Sequence, residues 1–172
     1  ACGPADLVLT ETGWTLFSID LAADEAVFLD VGAETDLAAA PFSYLRQYET
    51  ARRLLRMKLA DFLHLPVHRD TGVPTAHLFN TGHCGSTLVH HALNRSGQAW
   101  CLSEPLFTFD LAMNRAGLAR DRLTALLRIG TRLLSWFPGA SGRRRVVKHF
   151  SQSSTIMTDY WAADPEAVFL FQ

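Results

Sequence analysis

The sequence has no apolar run approaching the ~18–20 residues that a membrane-spanning helix needs. Its first ten residues, ACGPADLVLT, carry neither the basic segment nor the apolar stretch of a secretory leader. It does not begin with methionine, so the natural start is expected upstream. An excess of charge of either sign is also missing. There are 16 Lys and Arg against 17 Asp and Glu, a net charge of −1, which implies no bulk attraction to nucleic acid or to an anionic membrane. Cysteine is sparse. Cys2, Cys84 and Cys101 are odd in number and lack metal-type spacing, so no metal site is expected and a reducing, cytoplasmic setting is favoured. What is present is a globular composition: 48% hydrophobic and 19% charged over 172 residues, enough for one domain with a real core.

The chain begins with GWTLFSIDLAADEAVFLDVG, which predicts two short strands at Trp14–Ile19 and Ala26–Val31, with ADE in the turn. Pro41 then opens a stretch in which Leu45, Tyr48, Leu54, Leu55, Leu59, Phe62 and Leu63 lie close to a 3.6-residue period. This predicts one packing helix, with Arg52, Arg53, Arg56 and Lys58 on its solvated side. HLPVHRDTGVP is expected to be a loop.

From Thr75 onward the pattern alternates. TAHLF, QAWCL, RVVKHF and AVFLF read as short strands; STLVHHALNR, Arg120–Phe137 and STIMTDYWAA read as helices. Strands alternating with helices require crossover connections. The expected fold class is therefore α/β, a parallel sheet flanked by helices, with a small β-hairpin and helix before it.

Between the first of these strands and its helix stands FNTGHCGSTL, residues 79–88. A strand, a glycine turn and a helix start make an anion site in physical terms. The first helical N–H groups have no intrahelical partner and the dipole is positive there. Gly82 and Gly85 allow close backbone approach, and Ser86 and Thr87 add hydroxyls. The residues alone leave three readings open: a phosphate cradle, a cysteine nucleophile at Cys84, or a turn that only connects. The Gly-Lys of the nucleotide-kinase loop is missing, and Ser86 stands where a cysteine-hydrolase elbow would have its last glycine.

FNTGHCGSTLVHHAL followed by LSEP resembles the phosphosulfate loop of the sulfotransferase family, of the form T-x-[RK]-[SC]-G-[ST]-T-[LW]. Thr81, Cys84, Gly85, Ser86, Thr87 and Leu88 fit that form. VVKHFSQSSTIMTDYWAADPEAVFLF resembles the family's next strand, helix and strand, with Pro165, Ala167, Phe169 and Leu170 in place. The likeness covers Thr75 to Gln172. It implies a P-loop-like parallel sheet, with residues 1–72 a hairpin and helix and residues 73–172 the nucleotide-binding core of one domain. It implies a sulfotransferase that uses 3′-phosphoadenosine 5′-phosphosulfate (PAPS), without a metal. The acceptor, a small molecule or a glycan among others, stays open; nucleic acid is not expected.

Two positions depart from the family. His83 replaces the loop's Lys or Arg, and Gln172 stands where an arginine is usual. The residues expected for the 3′-phosphate would lie further on, so the chain reads as the N-terminal part of a larger protein.

Carried over residue by residue, the resemblance places Thr81, Gly82, His83, Cys84, Gly85, Ser86 and Thr87 around the 5′-phosphate, with His83 near the bridging oxygen. Glu104, at the end of the second strand, is the expected general base. Its neighbours Leu102, Pro105, Leu106 and Phe107 would desolvate it. His90, His91 and His149 are alternative bases, Lys148 is expected to steady the sulfuryl group, and Arg143, Arg144 and Arg145 are candidates for an anionic acceptor or the 3′-phosphate. The alternative reading is a non-catalytic phosphate-binding module that has lost the basic loop residue.

Overall fold

A computed structural model describes residues 3–67, 74–140 and 142–172. Most of the loop expected over residues 64–74, the boundary expected at residues 72 and 73, and Cys2 lie outside the described residues. Helix α1 (Pro4–Thr10) starts with proline, whose missing N–H is unneeded in a first turn, and Asp6 accepts the Gly3 N–H at 3.0 Å. Strands β1 (Trp14–Asp20) and β2 (Glu25–Asp30) form the expected antiparallel hairpin, with a bulge between Leu16 and Ser18.

The single helix expected after Pro41 is not there. Its span divides into α2 (Ser43–Thr50), β3 (Arg53–Lys58) and α3 (Leu59–Leu63), and β3 pairs antiparallel with β2. Cross-strand chemistry decides this. Leu55 and Met57 are buried while Arg53, Leu54, Arg56 and Lys58 are exposed, an alternation of period two. The expected solvated arginines face carboxylates instead. Arg53 reaches Asp30 at 2.7 Å, and Arg56 and Lys58 reach Glu25 at 3.1 and 3.0 Å.

The second sheet is parallel, as the alternation predicts. It contains β4 (Thr75–Phe79), β5 (Ala99–Ser103), β6 (Arg144–Lys148) and β7 (Val168–Phe171), in the order β5-β6-β4-β7. Helix α4 (Ser86–Arg95) covers one face, where Val89 and Leu93 pack on Leu78, Ala99, Cys101 and Val146. The other face meets α5 (Leu106–Met113), α6 (Arg120–Leu133) and α7 (Met157–Ala163). One buried cluster joins Leu16, Phe28, Leu55 and Met57 of the antiparallel sheet to Leu111 and Leu126 and on to Trp100, Val147 and Tyr160. Helices α5 and α6 thus form a shared layer between the two sheets.

Edge strand β5 is closed by a side chain. Asn94 of α4 accepts the Cys101 N–H at 2.7 Å and donates to the Cys101 carbonyl at 3.0 Å and the Ala38 carbonyl at 2.7 Å. Among the described residues no helix is long and apolar enough to cross a membrane.

Candidate functional site

The strand order creates a crevice. From β4 the chain passes to β5 on one side of the sheet, and from β6 it passes to β7 on the other. Ligands of open α/β sheets bind outside the carboxyl ends of strands where the connections diverge in this way. The loops leaving β4 and β6 meet there, and Asn80 joins them. It donates to the His149 carbonyl at 2.6 Å, its Oδ1 accepts the Gly82 N–H at 3.0 Å, and its carbonyl accepts from Ser154 Oγ at 3.3 Å.

The loop between β4 and α4 turns on three left-handed residues: Gly82 (φ 79°), His83 (φ 51°) and Gly85 (φ 85°). A side chain at Gly85 would find room, its nearest neighbour being Gln172 Nε2 at 3.8 Å, so the glycine is required by φ and not by crowding. Thr81 and Gly82 use their amides internally: the Thr81 N–H donates to the Gln172 carbonyl at 3.2 Å and that of Gly82 to Asn80. The backbone N–H groups of His83, Cys84, Gly85, Ser86 and Thr87 have no partner among the described residues, and neither do the hydroxyls of Ser86 and Thr87. Successive free N–H groups in a left-handed turn, running into a helix start, form an anion-binding concavity. The His83 side chain is exposed and makes no hydrogen bond there.

The structure brings Glu104 and Lys148 together at the ends of adjacent strands. Lys148, only 2% exposed, donates to Glu104 Oε1, and the Glu104 N–H donates to the Lys148 carbonyl at 2.7 Å. The apolar surroundings expected for the Glu104 carboxylate are thus replaced on one side by an ammonium. Lys148 lies on the sheet face that α4 covers, with its Nζ 5.7 Å from the centre of the Phe42 ring. Glu104 itself sits at φ 57°, a conformation that non-glycine residues rarely hold. His83 and Glu104, two residues in this conformation, therefore both lie at the carboxyl end of the parallel sheet.

No protein-family model matches the chain, and no curated protein or solved structure matches it. The geometry carries the rest.

The alternative bases fare differently. His149 is fully buried, 2.8 Å from His77 between their Nε2 and Nδ1 atoms, and so cannot reach an acceptor. Burial, helped by the His91 and Lys148 charges, pushes buried His90 down to about 4. Arg143, Arg144 and Arg145 precede or open β6, at the amino end of the parallel strands, opposite the loop. The sheet separates them from any 5′-phosphate bound there. The Cys84 thiol is partly exposed and no histidine nitrogen is hydrogen-bonded to it, so the base that a cysteine nucleophile requires is not in place. Among the described residues no three His, Cys, Asp or Glu side chains gather as a metal-binding group.

Sequence reasoning missed Asn80 as the hub of the two loops. The signal was an Asn directly after a strand, a residue type that caps its own turn. It also missed the clasp by Gln172, which donates from its backbone to Phe79 at 3.0 Å and from Nε2 to the Cys84 carbonyl at 2.7 Å.

Proposed function

We propose that this chain carries the phosphosulfate-binding loop of a PAPS-dependent sulfotransferase. The observation that supports the reading is the run of free backbone N–H groups from His83 to Thr87, flanked by the Ser86 and Thr87 hydroxyls, at the carboxyl end of a parallel sheet. Those groups would hold the 5′-phosphate, and the nucleotide supplies an activated sulfuryl group. His83, exposed and unpaired beside them, would donate to the bridging oxygen.

Lys148 would orient the sulfuryl oxygens from beneath α4 and hold the Glu104 carboxyl in place through their ion pair. Glu104 would take the proton from the acceptor's hydroxyl or amine as the acceptor atom bonds to sulfur. The bond from sulfur to the bridging oxygen breaks, and its electron pair stays on the phosphate. Such a transfer asks the protein for position and electrostatics, which this arrangement of fixed dipoles and one buried cation offers.

The test is a thermal-shift titration of the full-length protein with 3′-phosphoadenosine 5′-phosphate against ATP, as parent and as Gly85→Ala. A ligand that binds only the folded state stabilises it by mass action. The parent should respond to 3′-phosphoadenosine 5′-phosphate more strongly than to ATP, and Gly85→Ala, strained at φ 85°, should lose the response. Equal shifts with both nucleotides would favour a general phosphate-binding module, and no shift with either would remove the nucleotide altogether.

A further inference from the structure

The antiparallel sheet has a second, less covered face. Between it, the end of α2 and the side of α5 runs a groove of about 700 Å³, within the roughly 300–1,000 Å³ typical of small-molecule sites. Its floor and walls are apolar, with Phe17, Val27, Leu29, Leu54 and Tyr48 among them. Leu54 and Tyr48 remain 58% and 74% exposed, so the groove is open to a ligand.

One wall carries a carboxylate that the fold uses only in part. The bulge in β1 turns the Ile19 N–H and the Ser18 hydroxyl toward α5, and one oxygen of Asp110 accepts both, at 3.0 and 2.7 Å. Its other oxygen, Oδ1, has no partner among the described residues, and Asp110 lines the groove. Burial raises this carboxyl above its ordinary range, which the two donors oppose. A cation placed on the free oxygen would relieve that desolvation.

The arginines at the rim do not compete for the role. Arg52 is engaged by Glu34, Arg53 by Glu11 and Asp30, and Arg56 by Glu25. The lining itself holds Arg52, Arg53 and Arg56 beside Asp20 and Asp110. With each arginine already paired to a carboxylate, Asp110 Oδ1 is a charged atom of the groove left without a partner among the described residues. We propose that this groove is a binding site for an amphipathic primary amine, its ammonium on Asp110 Oδ1 and its apolar body along Leu29, Leu54 and Tyr48. The site is separate from the crevice at the end of the parallel sheet and does not depend on the sulfotransferase reading.

The experiment is a calorimetric titration of the 172-residue chain with hexylammonium, hexanol and hexanoate at neutral pH. Hexylammonium should bind saturably and tighter than hexanol, and hexanoate should bind least. Asp110→Asn keeps an oxygen that accepts from Ser18 and Ile19, so the bulge stays capped. It should weaken hexylammonium by about tenfold or more and leave hexanol unchanged, since bonds to charged groups exceed those to neutral ones. Leu54→Ser, on the far wall from the bulge, should weaken hexylammonium and hexanol alike by several-fold. It keeps the test open if Asp110→Asn does not fold. Preference for hexanoate, equal binding of hexylammonium by parent and Asp110→Asn, no effect of Leu54→Ser, or no saturable binding would each overturn the proposal.

Discussion

Acidification should unfold this protein through a buried pair of histidines. His77 on β4 and His149 after β6 touch through Nδ1 and Nε2 at 2.8 Å, among the rings of Phe79, Tyr160 and Phe169. The outward-facing nitrogens, His77 Nε2 and His149 Nδ1, are buried without partners among the described residues. One inner nitrogen must donate and the other accept, so a second inner proton would have nowhere to go, and a proton added at an outer nitrogen would place an uncompensated charge in an apolar site. Burial pushes His77 down to about 3. It also holds His149 well below its usual range, and charge on His77 would lower it further. The sign follows from linkage. These pKa values are lower folded than unfolded, so the unfolded chain takes up protons first. The stabilisation is complete above the unfolded value of about 6.5 and is lost as pH falls below it toward the folded values. The loss approaches about 1.4 kcal/mol per pH unit for each histidine. Between about pH 7 and about pH 5 that amounts to about 2 kcal/mol each, or about 4 kcal/mol for the pair, a large part of a typical domain's 5–15 kcal/mol. Urea unfolding at both pH values, for the parent and for a chain with His77→Phe and His149→Phe together, isolates the pair. The parent should lose about 4 kcal/mol more than the double variant. Equal losses would refute the reasoning and would mean that the pair is already charged, or already solvated, in the folded state.

Two further outcomes concern the crevice. Glu104→Gln should lower turnover by about 10²–10⁴-fold with nucleotide affinity nearly unchanged, if Glu104 takes the acceptor's proton. The same change should lower stability in urea, since breaking a buried ion pair costs up to about 3–5 kcal/mol and the amide oxygen still accepts from Lys148; unchanged turnover would reassign the base. His83→Ala should slow turnover about 10²–10³-fold at every pH, as losing one donor to a developing anion does, and His83→Arg should retain substantial activity. A pH–rate profile of His83→Ala that overlays the parent would leave His83 as a turn residue alone.

The elements legible from sequence were those whose pattern is local. The first hairpin, the alternating strands and helices after Thr75 and the glycine turn each announce themselves within about twenty residues of contiguous sequence. Strand β3 did not, because Leu54, Leu55, Leu59, Phe62 and Leu63 satisfy helical spacing while the pairing that overrides it comes from Glu25 and Asp30, more than twenty residues earlier. Helix α5 was invisible for another reason: LFTFDLAM is apolar almost all round, so it has no face to detect. The site divides the same way. The loop's glycines and hydroxyls were readable one by one, and so were Glu104 and Lys148. Their ion pair, between residues 44 positions apart, exists only because β5 and β6 lie side by side.

Asn94 has a consequence for how the protein meets other chains. A parallel sheet of this kind has two edges, β5 and β7, and an open edge is a template on which a foreign strand can dock. At β5 the outward-facing N–H and carbonyl of Cys101 are both occupied by one amide side chain. A strand arriving there would have to displace Asn94 and with it the attachment of α4 to the sheet and to Ala38. Growth by strand addition is therefore directed away from this edge.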